Sequence, residues 1–361
     1  MCLCNSIIVY VINTLEVGGA GKNLRFVASN STSKFKKVII ISLYDSIPIK
    51  PVIDGVEYIN LGIIPKGLGW RLYAIIRLRM ILKRIKPQLV CSFLSDISVI
   101  TRLASIGLDL LFVSAERGDP YTLPFKWKIP VYLTYVFSDY CIFQLEGARN
   151  YFCSNIKKKS FIIPNPYATF ERVNPFYGQR RNTIIGVGRL EEQKGFDVLI
   201  KAFSIVIKKH PEYKLIIYGD GSLRMLLNSL IKELKLNDNV ILPGYIDDVG
   251  SAIREDGIFV LPSRFEGIPN VLIEAMALGI PTVSTNCTPG GAAFLTKNGE
   301  RGVLVEVNDY INMANAINII IENRAYADTL SKKGREIVSE LDTEKIKTMW
   351  LDTFKRIIDR N

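Results

Sequence analysis

The segment Ser263–Gly279, reading SRFEGIPNVLIEAMALG, holds two carboxylates, Glu266 and Glu274, separated by seven residues. It follows an apolar run ending at Leu261, and Gly267 and Pro269 mark a turn opening a helix that Gly279 and Pro281 close. Glu266 then falls in a strand-to-helix loop, and Glu274 about a turn and a half into the helix. The loop amides and the N-terminus of such a helix favour a phosphate, through unsatisfied N–H groups and the helix dipole. A carboxylate beside an anion site makes sense when it accepts hydrogen bonds from hydroxyls, as a sugar or ribose offers. Taken as two isolated glutamates, the plainer account is a dipole partner at Glu266 and a solvated helix residue at Glu274.

A second segment, Gly186–Phe203, reads GVGRLEEQKGFDVLIKAF. A strand ends at a glycine pair, and Arg189 and Lys194 flank the turn into an amphipathic helix. Together they form a cationic clamp suited to a diphosphate, the arginine as a planar fork and the lysine as a point charge. Surface cations on a βα loop are an equally good account of the pair alone. A dinucleotide fingerprint is excluded, because Glu191 stands where the third glycine belongs. A third segment, Glu16 to Asn23 (EVGGAGKN), fails as a P-loop at both Glu16 and Asn23. What remains is a small-residue loop that lets backbone approach a ligand, or a tight turn.

The set Gly188-Arg189…Lys194-Gly195-Phe196-Asp197, then Gly219-Asp220-Gly221, then Pro262 to Gly267 with E-x7-E from Glu266 to Glu274, resembles the retaining family-four glycosyltransferases of GT-B fold, bacterial surface-polysaccharide type. The likeness covers the whole C-terminal half in order, and Gly18-Gly19 resembles the family's first-domain glycine loop. The resemblance implies that Arg189 and Lys194 bind the diphosphate of a UDP-sugar, Glu266 the transferred sugar and Glu274 the ribose. It assigns the amides of Gly267, Ile268, Pro269, Asn270, Val271 and Leu272 to sugar and phosphate. Gly18 and Gly19 would approach the phosphates from the first domain. A departing nucleoside diphosphate needs cations and dipoles preorganised against its growing charge, so the physics agrees. No metal and no cofactor is implied beyond the donor itself. Two departures stand out. Relatives often place a histidine after a first-domain strand, whereas the single histidine, His210, precedes a second-domain strand. In its place stands Ala115-Glu116-Arg117-Gly118-Asp119-Pro120, similar to a Ser-Glu-Arg-x-x-Pro variant of polysaccharide relatives. Glu116, as a catalytic candidate, or Arg117 would orient the acceptor or meet the diphosphate; the alternative is a buried ion pair. Relatives often carry a glutamate near the position of Phe294, and the segment Thr288 to Phe294 has none, so a role of that glutamate in sugar selection is not carried over.

The elements that must hold these residues alternate short β-branched runs with amphipathic stretches along the 361 residues, as in parallel α/β proteins. Strands are expected near Ile7–Ile12, Val38–Leu43, Glu57–Leu61, Leu89–Phe93, Leu110–Ser114 and Tyr140–Gln144. After the breaker Pro164-Asn165-Pro166 they are expected near Thr183–Val187, Lys214–Tyr218, Val240–Leu242, Ile258–Leu261, Thr282–Ser284 and Val303–Val305. This predicts two Rossmann-like domains joined near residue 165, and the resemblance implies that they face a central cleft, residues 1–165 on the acceptor and membrane side and 166–340 for the nucleotide sugar. A last helix is expected in 341–361, with Trp350, Leu351, Phe354 and Ile358 at helical spacing, and the resemblance implies that it crosses back to the first domain.

Of 46 Lys+Arg and 35 Asp+Glu, residues 1–165 hold 21 and 10, so the surplus of 11 positive charges lies entirely in that part. Such asymmetry points to nucleic acid, anionic lipid or a phosphorylated substrate. The segment Gly69–Lys86 reads as a helix whose Ala74, Ile75, Leu78, Ile81, Leu82 and Ile85 share one face. Arg71, Arg77, Arg79, Lys83 and Arg84 flank it, and Leu72, Tyr73, Ile76 and Met80 form a second apolar strip, the pattern of an interfacial helix on anionic lipid. A solvated helix is the alternative. Cysteine spacing shows no disulfide framework, there is no leader-like start, and Asp109, Asp119 and Asp139 interrupt the most apolar stretch. The chain is therefore expected in the cytoplasm, peripheral to the inner face of the membrane. The expected reaction is transfer of a hexose or N-acetylhexosamine to a polyprenyl-diphosphate-linked or saccharide acceptor for O-antigen or capsule. The rivals are a UDP-sugar 2-epimerase and, less in keeping with the absence of an aromatic-rich basic strand, a nucleic-acid-binding protein.

Overall fold

A computed structural model describes residues 3–15, 19–44, 53–67, 69–167, 175–176 and 178–360. The chain divides into two compact units, Met1–Pro166 with Thr343–Asn361, and Tyr167–Asp342. The first unit runs β1 (Ile7–Ile12), α1 (Gly19–Ser31), β2 (Lys37–Ser42), β3 (Val56–Asn60), α2 (Trp70–Ile85), β4 (Leu89–Phe93), α3 (Ser95–Ser105), β5 (Leu111–Ala115), α4 (Phe125–Phe137), β6 (Tyr140–Phe143), α5 (Glu146–Asn150), α6 (Ser154–Lys158) and β7 (Ser160–Ile162). The second runs β8 (Thr183–Val187), α7 (Phe196–Lys209), β9 (Lys214–Tyr218), α8 (Arg224–Glu233), β10 (Val240–Gly244), α9 (Val249–Ile253), β11 (Ile258–Leu261), α10 (Asn270–Ala277), β12 (Thr282–Thr285), α11 (Gly291–Leu295), β13 (Val303–Val305), α12 (Tyr310–Glu322), α13 (Arg324–Gly334) and α14 (Ile337–Glu340). Helix α15 (Thr343–Asp359) returns to the first unit.

Each unit is built on one parallel sheet, in the order β3-β2-β1-β4-β5-β6-β7 and β10-β9-β8-β11-β12-β13. The central strands are apolar on both faces because helices cover both, so they read as near-continuous Val/Ile/Leu runs. In both sheets the strand order reverses direction at one place, β1 beside β4 and β8 beside β11. At such a switch point the loops leaving the carboxyl ends diverge and open a crevice for ligand. Strand β7 was not foreseen: three half-buried residues behind a lysine run give no periodicity to read.

In the first unit α2 and α3 cover one sheet face through Ala74, Leu78, Leu82, Ile97 and Ile100. On the opposite face α1 and α15 pack together, with Trp350, Phe354, Ile357 and Ile358 in one core with Tyr10 and Phe93. The Trp350 ring stacks on Phe93 at 5.9 Å between centroids. Of the residues whose spacing announced this helix, Leu351 stays partly exposed, and Ile346 and Ile357 complete the buried stripe. The second unit closes with Arg301, whose buried guanidinium makes a fork of hydrogen bonds to Glu340 at 2.8 and 2.7 Å and so fastens α14. No disulfide joins the described cysteines. Among the described residues no helix is long and apolar enough to cross a membrane.

Candidate active site

Two loops, leaving β8 and β11, meet at the β8/β11 switch point of the second unit. The first leaves β8 through Arg189 and a short 3-10 turn, Glu192–Lys194, before α7 begins. The turn ends at Gly195 with φ 63°, a left-handed conformation that favours glycine, and a Cβ there would sit 2.1 Å from the Pro262 carbonyl oxygen. Only glycine lets the two loops approach so closely. The result is direct contact between Lys194 and Glu266, residues 72 positions apart, as a short ion pair with both side chains mostly buried.

Glu266 is held twice through one oxygen, since Oε1 accepts from Lys194 Nζ and from Ser263 Oγ at 2.9 Å. Its Oε2 accepts no hydrogen bond among the described residues, so the carboxylate keeps one oxygen for a hydroxyl. The Ser263 carbonyl in turn accepts from Thr285 Oγ1 on β12, and the Glu266 amide donates to the Thr288 carbonyl at 3.1 Å.

A second set of contacts ties the same loops together. The Arg264 amide donates to the Gln193 carbonyl at 2.7 Å, and Gln193 Nε2 donates back to the Phe265 carbonyl at 3.0 Å. The Arg264 guanidinium reaches over α7 to Asp197, donating to both carboxylate oxygens at 3.0 and 2.8 Å, and to the Glu192 carbonyl at 2.7 Å. Burial raises the Asp197 carboxyl, but the hydrogen bonds and charge of Arg264 outweigh it and hold the group below its ordinary value. Gln193, Asp197, Ser263 and Arg264 all lie inside the two segments singled out from sequence, yet none received a role there. The signal available was a side chain with a fork and one with a carboxylate in partner loops.

Arg189 is exposed, with Nη2 only 3.3 Å from Gln193 Oε1, so its fork is turned toward solvent beside Lys194. Glu191, which excludes a dinucleotide fingerprint, is tied to Ser222 by its amide and hydroxyl, and those hydrogen bonds lower its pKa. Gly267, Asn270 and Val271 are half-buried at the start of α10, and Ile268 and Pro269 are buried. The Leu272 and Ile273 amides donate to the Pro269 carbonyl at 3.1 and 3.3 Å, so Leu272 is removed from the expected set of phosphate-binding amides. Pro269 has no N–H and leaves it as well. Glu274 is 1% exposed, which rules out a solvated helix residue. His210 ends α7, 3.4 Å from Glu322 and edge-on to Tyr213, remote from these loops in the fold of the unit.

In the first unit the expectations fare differently. Gly18 lies outside the described residues, and Gly19 is the first residue of α1. Glu116 is turned inward: Oε2 accepts from Ser95 Oγ and from Tyr135 Oη at 2.9 Å, and Oε1 from the amides of Arg117 and Gly118 at 3.0 and 2.8 Å. Burial raises its pKa against those bonds. A carboxylate so filled with internal donors has no lone pair to offer a substrate, which corrects the catalytic assignment of Glu116. Arg117 is corrected too, from both an acceptor residue and an ion-pair partner. It is buried, donates to the Ile163 carbonyl at 2.9 Å, and lies over the rings of Trp350 and Phe93 at 4.8 and 5.5 Å. Its Nε and Nη2 have no hydrogen-bond partner among the described residues, and burial lowers its pKa to about 10. On α2, Arg79 donates to the carbonyls of Ala104 and Ile106 at the end of α3, a packing role rather than a membrane one. Arg71 lies over Trp70 and Trp127, Arg77 donates to Tyr73 Oη, and Lys83 and Arg84 are exposed.

Residues 169–337, which span the second unit, match the family described as "Glycosyl transferases group 1". An "Uncharacterized glycosyltransferase" of Haemophilus influenzae is 28% identical over 94% of this chain and 97% of its own. The Campylobacter jejuni protein "GalNAc-alpha-(1->4)-GalNAc-alpha-(1->3)-diNAcBac-PP-undecaprenol alpha-1,4-N-acetyl-D-galactosaminyltransferase" is 25% identical over 95% of this chain and 97% of its own. Among solved structures, Anabaena HepE in complex with UDP and glucose superposes with a TM-score of 0.81 at 18% identity, covering 98% of this chain and 100% of its own. That likeness concerns the fold, two Rossmann-like units of GT-B type.

Proposed function

Since the chain is a glycosyltransferase of GT-B fold whose residues 169–337 match the group 1 glycosyltransferases, we propose that it moves a hexose or N-acetylhexosamine from a UDP-sugar, with retention, to a lipid-linked or saccharide acceptor in bacterial polysaccharide assembly. The reading is supported most by the Lys194–Glu266 arrangement. One oxygen of Glu266 is fixed by a lysine and a serine, and the other is left for a sugar hydroxyl. Lys194 and the exposed Arg189 lie beside it for the diphosphate. As the bond between the anomeric carbon and the phosphate oxygen breaks, negative charge grows on the leaving UDP. Arg189, Lys194 and the first amides of α10 are the groups placed to take up that charge without reorganising. Binding a diphosphate offers Lys194 a second anionic partner, so part of its charge shifts from Glu266 to phosphate while Ser263 keeps the carboxylate in place.

The choice of UDP is supported by the solved neighbour that holds UDP and glucose, and that of a polyprenyl-diphosphate acceptor by the relative whose name specifies an undecaprenol-linked one. The basic surplus of the first 165 residues and the exposed strip on α2 suit an acceptor held at an anionic membrane. A screen of nucleotide sugars against a prenyl-diphosphate glycan, read by mass spectrometry, tests the reading. Product of added hexose or N-acetylhexosamine mass, formed from a UDP donor, is expected. Conversion of the donor without acceptor, or no product with any donor, would sink it.

A further inference from the structure

Helix α4 has two apolar sides, and the fold uses only one. Its sequence, FKWKIPVYLTYVF, buries Val131, Thr134 and Tyr135 against the rest of the first unit. At about 100° per residue, Phe125, Ile129, Leu133, Val136 and Phe137 fall within an arc of about 120° centred opposite that buried side. They are 86, 67, 48, 38 and 61% exposed. A helix whose solvent side carries two phenylalanines, an isoleucine and a leucine in register is not completed by its own domain. Lys126 and Lys128 are exposed, Lys126 within that arc toward Phe137 and Lys128 outside it beyond Phe125, and α4 holds no acidic residue.

Helix α2 shows the same construction. Its buried side is Ala74, Leu78 and Leu82, and the opposite side exposes Leu72, Tyr73, Ile76 and Met80. It holds five cations, Arg71, Arg77, Arg79, Lys83 and Arg84, and no acid. Helix α3 packs between the two, exposes Leu103 and is followed by exposed Ile106. Three neighbouring helices thus present apolar side chains together with cations. The charge complement of that combination is an anionic lipid surface, where apolar side chains enter the acyl boundary and lysines stay at the headgroups.

We propose that α4 is the element by which the first unit enters an anionic bilayer, with Phe125, Ile129, Leu133 and Phe137 among the acyl chains and Lys126 and Lys128 at the phosphates. This rests on the reading that the enzyme works at a membrane, and it divides the labour: α2 supplies electrostatic attraction and α4 supplies insertion. It also gives the sequence a reason for so apolar a solvent face.

Two measurements test it on the full chain: flotation with vesicles of phosphatidylglycerol and phosphatidylcholine, and the pressure rise of a lipid monolayer at constant area. Wild type should float and raise the pressure. Phe125→Asp and Ile129→Asp should each weaken flotation about tenfold or more, as expected when one apolar side chain leaves hydrocarbon, and should abolish the pressure rise. Both sites are exposed, so UDP binding by calorimetry and the melting temperature should not change. Replacing Arg77, Lys83 and Arg84 by Glu should lower flotation on anionic vesicles at low salt. Flotation and pressure unchanged in both α4 variants would overturn the proposal. So would equal binding to purely zwitterionic vesicles, or a lipid-free dimer in sedimentation that Ile129→Asp dissolves. Transfer to a soluble glycan is measured in parallel. If no sugar is transferred but flotation depends on α4, the function reading fails and this one stands; transfer without flotation overturns this one alone.

Discussion

The fork between Arg264 and Asp197 should set how well Lys194 and Glu266 meet. Asp197→Asn keeps the shape of the side chain and removes its charge. The pair is 23% and 33% exposed, so the two charge-assisted bonds are partly screened, and the substitution should cost about 1–2 kcal/mol. For a unit of this size that is a fall in melting temperature of about 3–6 °C. The larger effect should be kinetic. Arg264 also binds the carbonyls of Glu192 and Gln193, on the turn that ends at Lys194. Loosening it lets that turn drift, and a misplacement approaching 1 Å lowers kcat/KM by about a hundredfold at most. A fall of about ten- to a hundredfold is expected in a UDP-sugar transfer assay, with Arg264→Lys intermediate because it keeps the charge and loses the fork. A lowered melting temperature with unchanged kcat/KM would show that the pair is structural only, and no change in either would refute the reasoning altogether.

The same pair carries a pH signature with a definite sign. The folded Asp197 carboxyl lies below its ordinary 3.8. Its contribution is therefore complete above that value and is lost as the pH falls through the lower, folded value. Acid unfolding of Asp197→Asn should lack this component, while between pH 5 and 8 wild type and variant should differ by a constant amount.

Glu266→Ala and Lys194→Ala should each abolish transfer with the far-ultraviolet circular dichroism retained; full activity in either removes the site assignment. Trp350→Ala, although within the last helix of the chain, should destabilise the first unit by about 3–5 kcal/mol because the ring is buried among Phe93, Phe354 and Arg117. A urea midpoint close to wild type would contradict the packing. Arg117→Met should change stability by no more than about 1 kcal/mol, since it removes a buried cation whose folded pKa is depressed, offsetting the lost stacking and hydrogen bond. A loss of about 3 kcal/mol or more in denaturant unfolding would show the guanidinium to be a net stabiliser.

Much of the architecture is legible because parallel strands covered on both faces read as bounded apolar runs. Thr183–Val187 and Ile258–Leu261 are examples, and the two segments bearing Lys194 and Glu266 stand out by residue type alone. What spacing along the chain does not contain is strand order. Strands β9 and β10 intervene in sequence between β8 and β11, yet the sheet sets β8 against β11, and only that adjacency, with the missing Cβ of Gly195, joins the two loops. Glu116 illustrates the opposite error. A carboxylate just past a strand end looks available, but whether Ser95 and Tyr135 fold over it is a matter of tertiary packing that no local pattern reports.

Helical periodicity has a related blind spot. It identifies apolar faces, but not which of them the domain covers. In α2 the cations betray the second face, whereas in α4 the composition is so apolar that both faces merge into one hydrophobic run. Only burial separates them, with Tyr135 enclosed against Glu116 and Phe143, and Phe125 and Ile129 left outside. If α4 enters a bilayer as proposed, the positive surplus of the first 165 residues and the uncovered apolar face of α4 describe one surface from two sides, charge that would draw the unit to the bilayer and side chains that would hold it there.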